Sequence, residues 1–112
     1  STAIGQGALY AQNFTTATDS YNVAVGYNAG AAVTTGVQNA LVGGLAGDVL
    51  TDADYNTAIG FYALSADTLG SGSVAVGYQA LVTQNFTTAT TTYNTAVGHS
   101  AGLAVTEALK CT

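Results

Sequence analysis

An Ile/Val–Gly step recurs six times in this chain, at Gly5, Gly26, Gly43, Gly60, Gly77 and Gly98, with successive spacings of 21, 17, 17, 17 and 21. The flanking positions repeat with it. Four places before the key glycine stand Ser1, Asn22, Asn39, Asn56, Ser73 and Asn94, and three after it stand Ala8, Ala29, Ala46, Ala63, Ala80 and Ala101. A longer period is layered on the short one. The heptapeptide Gln12–Thr18 returns unchanged as Gln84–Thr90, at an offset of 72, so four short repeats make one large unit. Segments 1–40 and 73–112 share 22 identities in 40. Units this small cannot each hold a core, so they must stack, each pairing with the next. The whole of 1–112 therefore reads as a single repeat region with no linker or second domain.

The unit reads as strand. In Asn56–Leu64, β-branched and aromatic residues alternate with small ones and are broken by Gly60. Thr, Asp, Gly and Ser follow at the turns, as in Asp67-Thr68-Leu69-Gly70-Ser71-Gly72. The segment 100–110 is the one stretch that could pass for a helix, and its match to 28–38 favours a strand coil. The expected fold is all-β: a repetitive parallel β-roll or β-solenoid of six coils, some short and some long according to the glycine spacing, with two short strands per coil. Its expected interior is Ala, Val and Gly. The long coils, those of Gly5 and Gly77, should bulge from one face through four extra positions in a Thr-rich loop.

Composition then bears on what such a ribbon can do. Charged residues make up 6% of the chain, with a net charge of −5 and Lys110 as the only base; ordinary soluble domains carry about 25%. A thin ribbon without surface charge buries too little by itself to offset chain entropy. The expectation is a self-associating chain, most simply an interlocked homotrimer. One base cannot neutralise a phosphate backbone, which argues against nucleic acid as a partner. Polar residues interrupt every apolar run, which argues against a membrane span. Ser1 reads as a cut or processed end, and Cys111, the lone cysteine, has no intrachain partner to pair with.

Three segments, Asn94–Gly102 (NTAVGHSAG), Tyr55–Leu64 (YNTAIGFYAL) and Val74–Leu81 (VAVGYQAL), resemble the head repeats of trimeric autotransporter adhesins. They are still more similar to the NTAVGYxAL repeats of phage tail-fibre-type proteins. All six copies take part. The resemblance implies a trimeric, left-handed parallel β-roll and an extracellular, cell-surface or virion location. The chain departs from the adhesin heads in its longer period, and it carries no neck or stalk heptads.

Several short motifs compete with that reading. Gly98-His99-Ser100-Ala101-Gly102 matches the hydrolase pattern G-x-S-x-G, but the same slot elsewhere holds GYNAG, GFYAL and GYQAL. No catalytic residue is assigned. Asp48, Asp52 and Asp54 form a weak candidate cation cluster lacking the Gly and Glu of a calcium loop. Gly70–Ala75 meets the loose dinucleotide pattern without the helix or the acid it needs, so no cofactor is expected. Asn13 and Asn85 head formal glycosylation sequons in the two Thr-rich loops, which read more simply as loop structure. Tyr21, Tyr55 and Tyr93, five before the key glycine, and Tyr27, Phe61, Tyr78 and His99, one after it, should form aromatic ladders along the stack.

The expected role is a structural repeat segment of an extracellular or virion fibre, such as an adhesin head or tail-fibre shaft, supporting attachment to a surface or host. Its expected partners are copies of itself, with a surface glycan or host receptor as an added partner. The alternatives are a self-assembling extracellular filament subunit and a glycan- or ice-binding solenoid, the last suggested by the Thr-x-Thr alternation at 16–18.

Overall fold

The computed structural model describes residues 1–112 as an all-β solenoid without helix, measuring 36 × 25 × 17 Å. Six three-residue strands form one parallel sheet: β1 (Thr2–Ile4), β2 (Val23–Val25), β3 (Ala40–Val42), β4 (Thr57–Ile59), β6 (Val74–Val76) and β8 (Thr95–Val97). The register follows the glycine spacing: Thr2 pairs with Val23, Val23 with Ala40, Ala40 with Thr57, Thr57 with Val74 and Val74 with Thr95. The short and long coils are thus equivalent at the strand and differ in the return path. Instead of a second strand in every coil, a second sheet forms only between β5 (Gly70–Ser71) and β7 (Thr90–Thr91). The segment 100–110 forms turn and coil, not helix.

Coil-to-coil pairing does not stop at the strands. Of 61 backbone hydrogen bonds only 11 lie within the strands. The rest run largely through the turns, as in Leu9 N to Ala29 O, Gly30 N to Ala46 O, Gly47 N to Ala63 O and Leu64 N to Ala80 O, all 2.9–3.1 Å. Each coil is wired to its neighbour around most of its circumference, so main-chain pairing compensates for the small interior. The turn that permits this needs left-handed backbone. The residue two after the key glycine has φ between 52° and 61° at Asn28, Leu45, Tyr62, Gln79 and Ser100. The key glycines at 5, 26, 43, 60, 77 and 98 have φ of 122–135°, where a side chain is strained.

The core cluster holds 15 residues: nine alanines, five leucines and Val33. Its make-up corrects the expected Ala/Val/Gly interior. In a three-residue strand the period of two sends one residue inward and its two neighbours outward. Ala24, Leu41, Ala58, Ala75 and Ala96 point in, and Val25, Val42, Ile59, Val76 and Val97 point out. Leucines fill the rest by a size exchange. Where Leu9, Leu64 or Leu81 stands four after the key glycine, the residue seven after it is Gln12, Asp67 or Gln84. Where Gly30, Gly47 or Gly102 stands there instead, Val33, Leu50 or Val105 takes the later place. A Cβ on Gly30 would lie 2.6 Å from Leu41 Cδ1, and one on Gly47 2.7 Å from Leu50 Cδ1. The two glycines are therefore small because leucines occupy their side-chain space.

Candidate functional site

The outward face of the main sheet carries rows of side chains that repeat with the coil. Its central column is Ile4, Val25, Val42, Ile59, Val76 and Val97, and Ile4, Val42, Ile59 and Val97 are 36–67% exposed. On one side runs the column Thr2, Val23, Ala40, Thr57, Val74 and Thr95; on the other, past the key glycines, run Gln6, Tyr27, Gly44, Phe61, Tyr78 and His99. None of these positions carries an acid, a lysine or an arginine. An aliphatic row of this kind, left facing water between uncharged neighbours, is unusual on a monomeric protein.

The aromatic ladder exists over part of its expected length. Phe61, Tyr78 and His99 stack in succession, Phe61 on Tyr78 at 6.1 Å and Tyr78 on His99 at 4.9 Å between ring centres. Tyr62 meets Phe61 edge-on at 4.4 Å. Gly44 separates Tyr27 from this column, and a Cβ there would lie 3.1 Å from Phe61 Cδ2. The second expected ladder does not form. Tyr21, Tyr55 and Tyr93 are each 59–66% exposed and make no ring–ring contact, because Gln38 and Gly72 occupy the intervening coils at the same register. They stand as separate tyrosines two coils apart, on residues with φ of 51–60°.

A buried asparagine ladder runs up the stack beside the strands. Asn22 Oδ1 accepts from Asn39 N, Asn39 Oδ1 from Asn56 N and Asn56 Oδ1 from Ser73 N, all at 2.9 Å. Each amide donates across its own coil: Asn22 Nδ2 to Gly36 O, Asn39 Nδ2 to Ala53 O and Asn56 Nδ2 to Gly70 O, at 2.8–2.9 Å. Asn94 repeats the pattern with Ala108 O and Cys111 N. Side chains thus continue the backbone ladder where the chain turns into the strand. The repeated Asn four before the glycine was the sequence signal for it.

The two long coils place Ser1 and Ser73 at that position and fill the space with a second polar cluster. Gln84 Nε2 donates to Asp67 Oδ2 at 2.6 Å and to Ser73 Oγ at 2.8 Å, and Gln84 Oε1 accepts from Asn94 Nδ2 at 2.7 Å. Ser73 Oγ also meets Thr92 Oγ1 at 2.6 Å. Gln12, Ser1, Ser20 and Asn22 make the equivalent contacts in the first large repeat. Asp67 is fully buried, and its carboxylate also accepts from Phe86 N at 2.8 Å and Gly70 N at 3.1 Å. These donors turn the carboxylate into a fastening for the Thr-rich loop, which Phe86, 6% exposed, anchors from the other side.

The other candidate residues fall apart in space. Asp48, Asp52 and Asp54 do not converge, and no group of three or more His, Cys, Asp or Glu side chains is placed to hold a metal ion. Asp52 Oδ1 accepts from Thr35 Oγ1, and Asp54 Oδ1 accepts from Val37 N, both on the preceding coil. Asp48 Oδ1 is buried without a partner, and desolvation by burial raises its pKa above the usual carboxylate value, against a backbone hydrogen bond that lowers it. Ser100 Oγ lies 3.1 Å from His99 Nδ1, but the imidazole is stacked on Tyr78 and no carboxylate hydrogen-bonds to it. Thr51 and Thr68 give their hydroxyls to backbone carbonyls of the next coil, and Thr18 Oγ1 donates to Thr16 O within its own loop. No helix is long and apolar enough to cross a membrane. No protein-family model, no curated protein and no solved structure matches the chain.

Proposed function

We propose that this chain is a structural repeat segment of an extracellular or virion fibre, in which three copies join along the outward face of the main sheet. The observation that carries this reading is the charge-free aliphatic column Ile4, Val25, Val42, Ile59, Val76 and Val97. Its rows repeat with the coil, so a second copy can pair with it over the full height of the stack. Covering it would add apolar burial that the alanine-rich core lacks. A fibre built this way gains rigidity from axial main-chain pairing and cohesion from lateral packing. Its role is mechanical and non-catalytic, supporting attachment to a surface or host.

Replacing Val42 and Val76 together with lysine tests this reading. The double variant should keep its β-rich circular dichroism and fall to the mass of one chain. Retention of a multimeric mass would remove the strand face from the interface. A second reading is favoured by one observation, the stacked and exposed Phe61–Tyr78–His99 column, which offers flat apolar faces of the kind that pack on sugar rings. A glycan array with wild type and Tyr78→Ala tests it: ligands lost in the variant would assign glycan recognition to the column.

A further inference from the structure

Five fully buried polar side chains meet in the interior at the second long coil: Asp67, Ser73, Gln84, Thr92 and Asn94. Their hydrogen bonds give each a direction. Thr92 Oγ1 donates to Ser71 O at 3.2 Å, so Ser73 is the donor in the 2.6 Å contact between the two hydroxyls. The lone pairs of Ser73 Oγ then face Gln84, whose Nε2 lies 2.8 Å away. The same nitrogen is 2.6 Å from Asp67 Oδ2, and Gln84 Oε1 accepts from Asn94 Nδ2 at 2.7 Å. A hydroxyl and a primary amide are thus packed together out of reach of water, with a donor on the amide oxygen and a carboxylate on the amide nitrogen. The buried amides of Asn22, Asn39 and Asn56 are placed differently: each donates to a backbone carbonyl across its coil.

We propose that the folded chain joins Ser73 to Gln84 through an ester bond. Ser73 Oγ adds to Gln84 Cδ, one bond beyond the nitrogen it already contacts, and the carbonyl electron pair moves onto Oε1, where Asn94 Nδ2 stabilises it. As that pair returns, the Cδ–Nε2 bond breaks. The departing nitrogen takes the hydroxyl proton of Ser73 and leaves as ammonia, and the Asp67 carboxylate beside it offsets the positive charge that gathers there. Asp67 is unchanged at the end, and no other reactant is consumed. Holding the two groups in contact replaces a bimolecular encounter, and the closed interior keeps the ester from hydrolysis. The linked residues are 11 apart in sequence, so the bond closes a ring across one coil and ties the strand entry to the fastening of the Thr-rich loop. Such a ring restricts the unfolded chain and stiffens the long coil. This is one self-modification without turnover. It needs no second copy and no part of the outward strand face, so it stands or falls apart from the fibre role.

The test is the intact mass of the folded full chain, followed over days by mass spectrometry and compared with the mass of its sequence. The wild-type chain should become lighter by one ammonia, while a sample kept unfolded in urea should hold its full mass. Chymotryptic cleavage after Tyr78, which lies between the linked residues, should leave the two fragments joined, and mild hydroxylamine should part them. Ser73→Ala should retain the full mass, and Asp67→Asn should slow the loss at least about tenfold. The wild-type mass decides the matter even where a variant fails to fold. A folded wild-type chain that keeps its full mass would overturn the proposal. So would a loss of ammonia that persists in Ser73→Ala, or fragments that separate on cleavage at Tyr78 without hydroxylamine.

Discussion

Gly43 and Gly98 share a φ of +129° but not a neighbour: a Cβ on Gly43 would lie 2.7 Å from both the carbonyl carbon and oxygen of Gly60, whereas one on Gly98 meets nothing closer than 3.9 Å. Substitution by alanine therefore separates two effects. Gly98→Ala should cost about 1–3 kcal/mol, the conformational strain alone. Gly43→Ala adds a backbone clash between coils and should cost more than Gly98→Ala by at least about 1–2 kcal/mol. Urea titration of the two variants checks the difference. Asp48 tests the electrostatics of a single residue. Its raised folded-state pKa means that the native state holds the proton more tightly than the unfolded chain does. The contribution of Asp48 to stability is thus fully present below the unfolded pKa and is lost as pH rises through the folded one. Asp48→Ala, which copies the Ala31 of the preceding coil, should raise the unfolding midpoint at neutral pH and lose that advantage in acid, below the unfolded pKa.

Among the recurring elements, the asparagine ladder and the leucine exchange hold the stack together in different ways. Asn56 is fully buried and satisfies Ser73 N and Gly70 O at once. Asn56→Ala would orphan both groups, for an expected loss of about 2–4 kcal/mol by chemical denaturation. Leu41 is fully buried against two glycines that cannot collapse onto it, so Leu41→Ala should cost about 2–5 kcal/mol. The strand register was legible in the sequence, because the spacings of the key glycines are the offsets between paired strands. The leucine core was not. No single column of the repeat carries leucine throughout: Leu9, Gly30, Gly47, Leu64, Leu81 and Gly102 share one position, and the compensating residues sit three places on. The repeated Ile/Val before each glycine misled in the opposite sense. Its constancy suggested an interior residue, while the buried residue one place earlier and the period of two put it outside. The Tyr21, Tyr55 and Tyr93 ladder failed for a related reason: the intervening coils carry Gln38 and Gly72 at that register, so like residues are two coils apart.

For the molecule as a whole, the central question is what covers the strand face. A chain with 6% charged residues, a core of nine alanines among 15 residues and an unbroken aliphatic column has its hydrogen bonds satisfied along the axis and its apolar surface unsatisfied across it. Lateral association into a fibre meets that imbalance, and the Thr-rich loops, carried by the two long coils, then become the features that protrude. The long coils were readable as insertions, but the Asp67–Gln84–Ser73 cluster that fastens one of them was not, since its members are scattered through the chain and meet only after stacking. The most direct measurement is the native mass of the chain by light scattering after size exclusion. The fibre reading predicts one discrete species of three times the 11.1 kDa chain mass. A well-folded, stable monomer would contradict it.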